Sequence, residues 1–230
     1  MELEEGGIYG LLGANGSGKT TIMKIISGLT KKDEGNVKIF GNDIDEDIAT
    51  ALSKVGVLIE TPALYEYLSA EKNLEIAAKF YDSVTQDDIK DILLKVGLLK
   101  YQTGKKDLVR HYSLGMKQRL GIALALISKP GFVILDEPFN GLDIDGMVEM
   151  RNIIKHEAME NKTSFLISSH LSHELELICT KVGVIHEGRQ ISVASMDEVR
   201  KSYPSLEDYY ISCAEKADRL AEEERKGGAL

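Results

Sequence analysis

The sequence predicts an α/β fold with a largely parallel sheet, a small antiparallel β part and an inserted helical lobe. Apolar, strand-like runs alternate with helical patterns, which favours a parallel sheet. Residues 13–20, G-A-N-G-S-G-K-T, fit the phosphate-binding P-loop pattern and lie between an apolar run, Ile8–Leu12, and a helical pattern that starts at or near Lys19. The predicted core is therefore that of a P-loop NTPase. A mostly helical stretch over residues 61–128 interrupts the alternation, so we expect an inserted helical subdomain there.

Length and composition favour one globular domain. A chain of 230 residues can bury a sizeable core, and we expect residues 1–230 to form a single domain. The net charge is −9 and no basic stripe is visible, so nucleic-acid binding is not predicted. The longest fully apolar run, residues 122–127, is too short to span a bilayer, and the first residues lack a signal-peptide pattern. These features predict a cytoplasmic chain.

The first half of the chain can be divided at its turn and capping residues. Residues 37–40 are predicted to form a short strand between two glycines, and residues 55–59 a buried strand. Side chains that cap helix N-termini then mark three helices. These helices begin after Ser69, after Thr85 (with Asp88 three residues on) and after Ser113.

The second half returns to alternating strands and helices. The predicted elements are a strand at 132–135, a helix at 145–158, a strand at 164–168 that leads to His170, a helix that ends at Ile178 and a hairpin at 182–193. The last segment, residues 214–230, is a charged tail rich in Ala, Glu and Lys, for which the sequence leaves two alternatives: a solvated helix or a frayed end.

The P-loop pattern carries the first chemical prediction. Glycines let successive backbone N–H groups point into one concavity, and the following helix N-terminus adds partial positive charge there. Lys19 can reach the β- and γ-phosphates of a nucleotide, and the Thr20 hydroxyl can ligate Mg²⁺. The predicted nucleotide-binding residues of this segment are Gly13, Asn15, Gly16, Ser17, Gly18, Lys19, Thr20 and Thr21.

A second chemical prediction comes from V-I-L-D-E at residues 133–137. Four apolar residues place Asp136 at the carboxyl end of a buried strand, where a carboxylate can hold Mg²⁺ directly or through water. Glu137 follows immediately and can act as the general base that polarises the attacking water. ATP and Mg²⁺ are therefore the predicted ligands.

The order of all motifs resembles the ABC-type ATPases over the whole chain. After the P-loop come S-x-G at Ser113 and Gly115, the D-E-P strand end, the N-G-L-D turn at residues 140–143 and a strand that leads to His170. The resemblance implies two nucleotide-binding domains that enclose two ATP molecules head to tail, with the P-loop of one facing the signature helix of the other. Leu114 and Met116 depart from the usual signature, which has Gly and Gln there.

The same resemblance implies roles for individual residues. Ser113 and Gly115 would contact the γ-phosphate bound by the second domain, and Asp143 belongs to the D-loop that crosses the dimer interface. His170 matches the switch histidine, which joins Glu137 and Lys19 as a predicted catalytic residue.

Glu60 departs from most of the family, which has Gln at this position. In the family, the amide oxygen of that Gln meets Mg²⁺ and its loop contacts the membrane partner. The resemblance therefore implies that Glu60, a harder and charged ligand, joins Thr20 and Asp136 in binding Mg²⁺. Residues 56–65 and 112–120 are similar to ATPase subunits of bacitracin-resistance and lantibiotic-immunity exporters.

The favoured hypothesis is therefore the ATP-hydrolysing subunit of an ABC exporter for a peptide antibiotic or a similar hydrophobic substrate. It would form a homodimer, join a separate transmembrane permease subunit and lie on the inner face of the cell membrane. The alternatives are a soluble ABC-type ATPase acting on the ribosome or DNA, a P-loop kinase, and a binding module that no longer hydrolyses ATP. The sequence shows no basic arm or coiled-coil insertion of the kind that ribosome- or DNA-acting members carry.

In the family, a strand pair with an adenine-stacking aromatic residue precedes the P-loop strand. No Tyr or Phe stands before Ile8, so we expect the chain to begin inside its own domain. The expected consequences are an unpaired sheet edge near residues 37–40 and weak discrimination between ATP and GTP.

Overall fold

The computed structural model describes residues 1–99 and 108–227, with side chains described as far as residue 223. Its centre is a six-stranded sheet with the order β4-β5-β6-β1-β7-β8, parallel except for β8, which runs antiparallel to β7 at one edge. Strands β2 and β3 form a separate antiparallel pair. The strands are β1 Ile8–Leu12, β2 Lys38–Ile39, β3 Asn42–Asp43, β4 Val55–Leu58, β5 Phe132–Asp136, β6 Ser164–Ser169, β7 Lys181–His186 and β8 Arg189–Ser195.

Nine α-helices are described in these two ranges, besides a short 3₁₀ helix at Val109–His111. They are α1 Lys19–Ile26, α2 Ile48–Leu52, α3 Ala70–Ala78, α4 Gln86–Lys95, α5 Leu114–Leu126, α6 Ile144–Glu160, α7 Ser172–Ile178, α8 Met196–Ser202 and α9 Leu206–Gly227. None of them is long and apolar enough to cross a membrane. The mixed α/β class, the mostly parallel sheet and the small antiparallel part confirm the predicted fold.

The central strands are buried on both faces, which explains their nearly continuous apolar sequences. In β1, Tyr9 and Leu11 pack into a core with Met23 of α1, whereas Ile8 and Leu12 point to the opposite face. On that second face they join a larger core, to which α5, α6 and α7 contribute. The P-loop strand is therefore fixed between two helical layers.

Helices α3, α4 and α5 pack on one another within the predicted helical insertion. Their starts agree with the sequence, because Ser69 and Ser113 cap α3 and α5, and Thr85 and Asp88 form a capping box at α4. The Lys95 ammonium on α4 also pairs with Glu157 on α6. Residues 100–107, which belong to the predicted insertion, lie outside the described part of the chain.

Several boundaries differ from the prediction. The strand predicted at 37–40 is reduced to the two residues of β2, and the strand predicted at 55–59 ends at Leu58. Helices α2 and α8 were not predicted at all. Of the two alternatives for the tail from residue 214, the structure has the helix: these residues belong to α9, which begins earlier, at Leu206. Residues 228–230 lie outside the described range.

Candidate functional site

The carboxyl ends of the parallel strands gather the predicted site residues at one edge of the sheet. In the strand register Leu12 lies beside Ser169, and Asp136 beside Ser168. The P-loop leaves β1 directly after Leu12 and leads into α1 at Lys19. Loops after parallel strands are where open α/β sheets bind ligands, so the topology favours a ligand site here.

The P-loop is packed closely against its surroundings. A Cβ atom at Gly13 would lie 2.3 Å from the carbonyl oxygen of Ile185 and 2.5 Å from Ser17 Oγ, so no larger residue fits. The turn between β7 and β8 supports the loop from the side, because the Gly188 N–H donates to the Ser17 carbonyl at 2.9 Å. Within the described residues, the buried hydroxyl of Ser17 has no hydrogen-bond partner, as expected of a loop that receives a polar ligand.

Lys19 is buried inside this loop. Its ammonium donates to the carbonyl oxygens of Gly13 and Ala14 at 2.7 and 3.0 Å. Burial lowers the pKa of Lys19, while the carboxylates of Glu137 and Asp136 act in the opposite direction. The side chain therefore brings a cation into the concavity that the motif assigns to phosphates.

The side chains of Asp136 and Thr20, two of the predicted magnesium ligands, are hydrogen-bonded to each other. The Thr20 hydroxyl donates to Asp136 Oδ2 at 2.9 Å, and the Ser168 hydroxyl donates to Asp136 Oδ1. Hydroxyl and carboxylate oxygens are the ligands that Mg²⁺ prefers. Among the described residues no group of three His, Cys, Asp or Glu side chains could hold a metal ion, so phosphate oxygens would have to complete such a site.

Glu137 and His170 form the second pair at the edge. Glu137 Oε2 lies 2.7 Å from His170 Nδ1 and accepts the His170 backbone N–H at 3.3 Å. The backbone of Glu137 has φ +50°, a left-handed conformation that is rare outside glycine. The carboxylate is thus held beside the histidine by a backbone that the surrounding structure constrains.

Glu60 follows β4, beside β5 in the sheet, and also has a left-handed backbone, with φ +60°. Its carboxylate pairs with Lys24 Nζ at 2.6 Å. Lys24 stands four residues after Thr20 on α1 and so lies on the same helix face. The contacts described for Glu60 are therefore with Lys24, and its predicted magnesium ligation remains a prediction.

The signature and D-loop residues have local structural roles in the single chain. Ser113 caps α5 by accepting the Met116 N–H at 3.2 Å, and Asp143 caps α6 by accepting the Gly146 N–H at 2.9 Å. In the described part of the chain neither side chain is hydrogen-bonded to the P-loop.

Two of the predicted nucleotide-binding residues are exposed to solvent: Asn15 in the P-loop and Thr21 on α1.

Two buried side chains at the site were not predicted. The Ser168 hydroxyl accepts the Glu137 N–H at 3.0 Å while it donates to Asp136. Gln118 on α5 donates to the Glu137 carbonyl at 3.2 Å. The S-S-H sequence at the end of β6 could have indicated Ser168, because β6 is parallel to β5; no local pattern indicates Gln118.

Known proteins share both the sequence and the fold. The matching family model, described as ABC transporter, covers residues 1–140. The bacitracin transport ATP-binding protein BcrA of Enterococcus faecalis is 41% identical over 222 residues, which span 96% of this chain and 71% of that protein. The lantibiotic transport ATP-binding protein SrtF of Streptococcus pyogenes is 42% identical over 191 residues, 83% of this chain and 80% of that protein.

Solved structures of ATP-binding cassettes share the fold of this chain. The ATP-binding subunit of an ABC transporter superposes with a TM-score of 0.81 at 28% identity, covering 93% of this chain and 90% of that one. The cassette MJ0796, a dimer in a post-hydrolysis state with ADP and Pi, shares the fold with a TM-score of 0.75 at 21% identity, over 85% and 88% of the two chains. The chain therefore belongs to the ABC transporter family, as an ATP-binding subunit that hydrolyses ATP.

Proposed function

We propose that this chain powers an ABC exporter through a separate membrane-spanning permease, and that the transported substrate is a peptide antibiotic or a similar hydrophobic molecule. The observation that carries the proposal is the cluster of Lys19, Thr20, Asp136, Glu137 and His170 at one sheet edge. The relatives named for bacitracin and lantibiotic transport support the substrate class. The subunit would act on the inner face of the cell membrane.

Nucleotide binding would depend on the P-loop and Lys19. The N–H groups of the loop and the N-terminus of α1 would hold the phosphates. The Lys19 ammonium, which donates to two loop carbonyls in this structure, would neutralise their charge. When bound, Mg²⁺ would supply charge neutralisation at the β- and γ-phosphates. Thr20 and Asp136 would be its protein ligands, joined by Glu60 once that carboxylate leaves Lys24.

Hydrolysis would depend on Glu137 and His170. Glu137 would accept a proton from the attacking water, if the γ-phosphate is bound beside it at the carboxyl ends of the strands. His170 would orient that carboxylate through its present 2.7 Å contact with Oε2. The imidazole would also sense the γ-phosphate, which makes the pair responsive to the nucleotide.

The remaining residues would act between two copies of the chain. The N-terminus of α5, with the Ser113 hydroxyl and Gly115, would face the γ-phosphate held by the second copy. Asp143 would lie in the same interface. The fold shared with a dimeric cassette supports this arrangement. The relatives are named as transport proteins, which favours an exporter subunit over an ATPase that acts on the ribosome or DNA.

The substitution Glu137→Gln tests the proposal. It keeps the shape of the side chain but removes the base, so phosphate release should fall by ~10²- to 10⁴-fold while ATP still binds. The variant should then accumulate as an ATP-bound dimer, detectable by light scattering. Unchanged phosphate release would contradict the general-base role. An absence of the chain from the cell membrane fraction would contradict the transport role.

A further inference from the structure

Glu137 stands in a left-handed backbone conformation that an L-residue adopts only where its surroundings enforce it. Its N–H is held by the hydroxyl and the carbonyl of Ser168, at 3.0 and 3.2 Å. Its carbonyl accepts the Asn140 N–H at 3.2 Å within the local turn and the Gln118 side-chain amide at 3.2 Å. Gln118 is thus the donor to this carbonyl that comes from another element.

Gln118 is suited to hold the peptide that follows Glu137. The residue is 5% exposed, and a buried amide is costly unless its hydrogen bonds are made. Gly115 lies one turn earlier on the same face of α5, so close to Gly141 that a Cβ would be 2.6 Å from the Gly141 carbonyl. The segment 137–141 therefore rests along one face of α5, and Gln118 makes a side-chain hydrogen bond in that contact.

We propose that Gln118 is a positioning residue for hydrolysis, which fixes the backbone of Glu137 and thereby the direction of its carboxylate. The inference rests on the proposed role of Glu137 as general base. Because Ser113 and Gly115 begin the same helix, a shift of α5 on contact with the second copy would reach Glu137 through Gln118. Among the described residues Gln118 makes no hydrogen bond to the P-loop, so its amide should affect turnover and not nucleotide affinity.

The test compares Gln118→Met, which removes the donor at similar size, with Gln118→Glu, which keeps the shape and lacks the donor. Turnover is expressed per ATP-binding site counted by nucleotide titration, so unfolded material does not contribute. Both variants should lower kcat by roughly tenfold to a hundredfold, the effect of a misplaced catalytic group, and leave ATP affinity within about twofold. Gln86→Met, an exposed position on α4, is the matched control and should leave kcat unchanged.

A double-mutant cycle separates positioning from general damage. If Gln118 acts through Glu137, Gln118→Met should cause no further loss in the Glu137→Gln background, measured by single-turnover release of labelled phosphate. Wild-type kcat in both Gln118 variants, or an equal loss with and without Glu137, would overturn the inference. Wild-type turnover in Glu137→Gln alone would instead overturn the general-base role on which the inference rests.

Discussion

Lys19 illustrates how much a single side chain contributes at this site. Its ammonium occupies the loop concavity and donates to two loop carbonyls, so it can exchange these partners for phosphate oxygens without leaving the loop. A hydrogen bond to a charged group contributes about 1.5–3 kcal/mol, so Lys19→Ala should weaken ATP binding roughly tenfold to 150-fold.

Nucleotide titration by calorimetry measures this change. Lys79→Ala, at the exposed end of α3, is the control and should bind ATP like the wild type. Wild-type affinity in Lys19→Ala would show that the loop does not bind phosphates through this cation.

The residues found from sequence and the residues missed differ in a physical way. Two of the patterns that predicted the site are local in sequence: the P-loop spacing, which includes Lys19, and the apolar run before Asp136 and Glu137. They are local because a strand, a tight loop and a helix start each need fixed residue types at fixed distances. Gln118 and Ser168 act on Glu137 from 19 and 31 residues away in sequence. Only the packing of α5 and β6 against β5 brings them to that peptide.

Among the elements, the contact between α5 and β4 is unusually close. A Cβ at Gly56 would lie 1.9 Å from the Ala125 carbonyl oxygen, and that backbone atom cannot move without shifting α5. Gly56→Ala should therefore lower the free energy of unfolding by about 1–3 kcal/mol or more, the cost of overpacking. Displacement of α5 should also reduce turnover, since its contacts support Glu137.

Thermal or denaturant unfolding measures the loss in Gly56→Ala. Val57 is the matched neighbour, because its side chain is 37% exposed on the same strand, and Val57→Ala should cost less. Equal stability of Gly56→Ala and the wild type would mean that β4 and α5 can separate freely.

Short elements were the ones that sequence periodicity failed to predict. Helices α2 and α8 have five and seven residues, too few to display a helical repeat. The capping box of Ser195 and Glu198 was nevertheless present in the sequence as a start signal for α8.

Strand β4 was predicted as buried, but it is an edge strand of the sheet and leaves Val57 exposed.

At the scale of the whole molecule, the site lies at the carboxyl ends of the parallel strands, and in the proposed dimer a second copy would approach these strand ends. Each copy carries a net charge of −9, and bound ATP adds further negative charge. Two such molecules repel one another at long range, and salt shortens that range, since the Debye length is about 10 Å at 0.1 M.

We therefore expect added salt to strengthen the ATP-dependent dimer of Glu137→Gln. The dimer fraction at fixed ATP and Mg²⁺ should rise as KCl increases from about 0.05 M to about 0.3 M, where screening of the net charge becomes substantial. Sedimentation velocity measures the dimer fraction. Because salt also screens Lys19 from the phosphates of ATP, an ATP titration of dilute monomer at each salt concentration corrects for the change in ATP binding. A dimer that dissociates on adding salt would show that opposite charges across the interface outweigh the net repulsion. In that case Arg and Lys side chains near the D-loop and signature helix, such as Lys117, would be the first candidates for substitution.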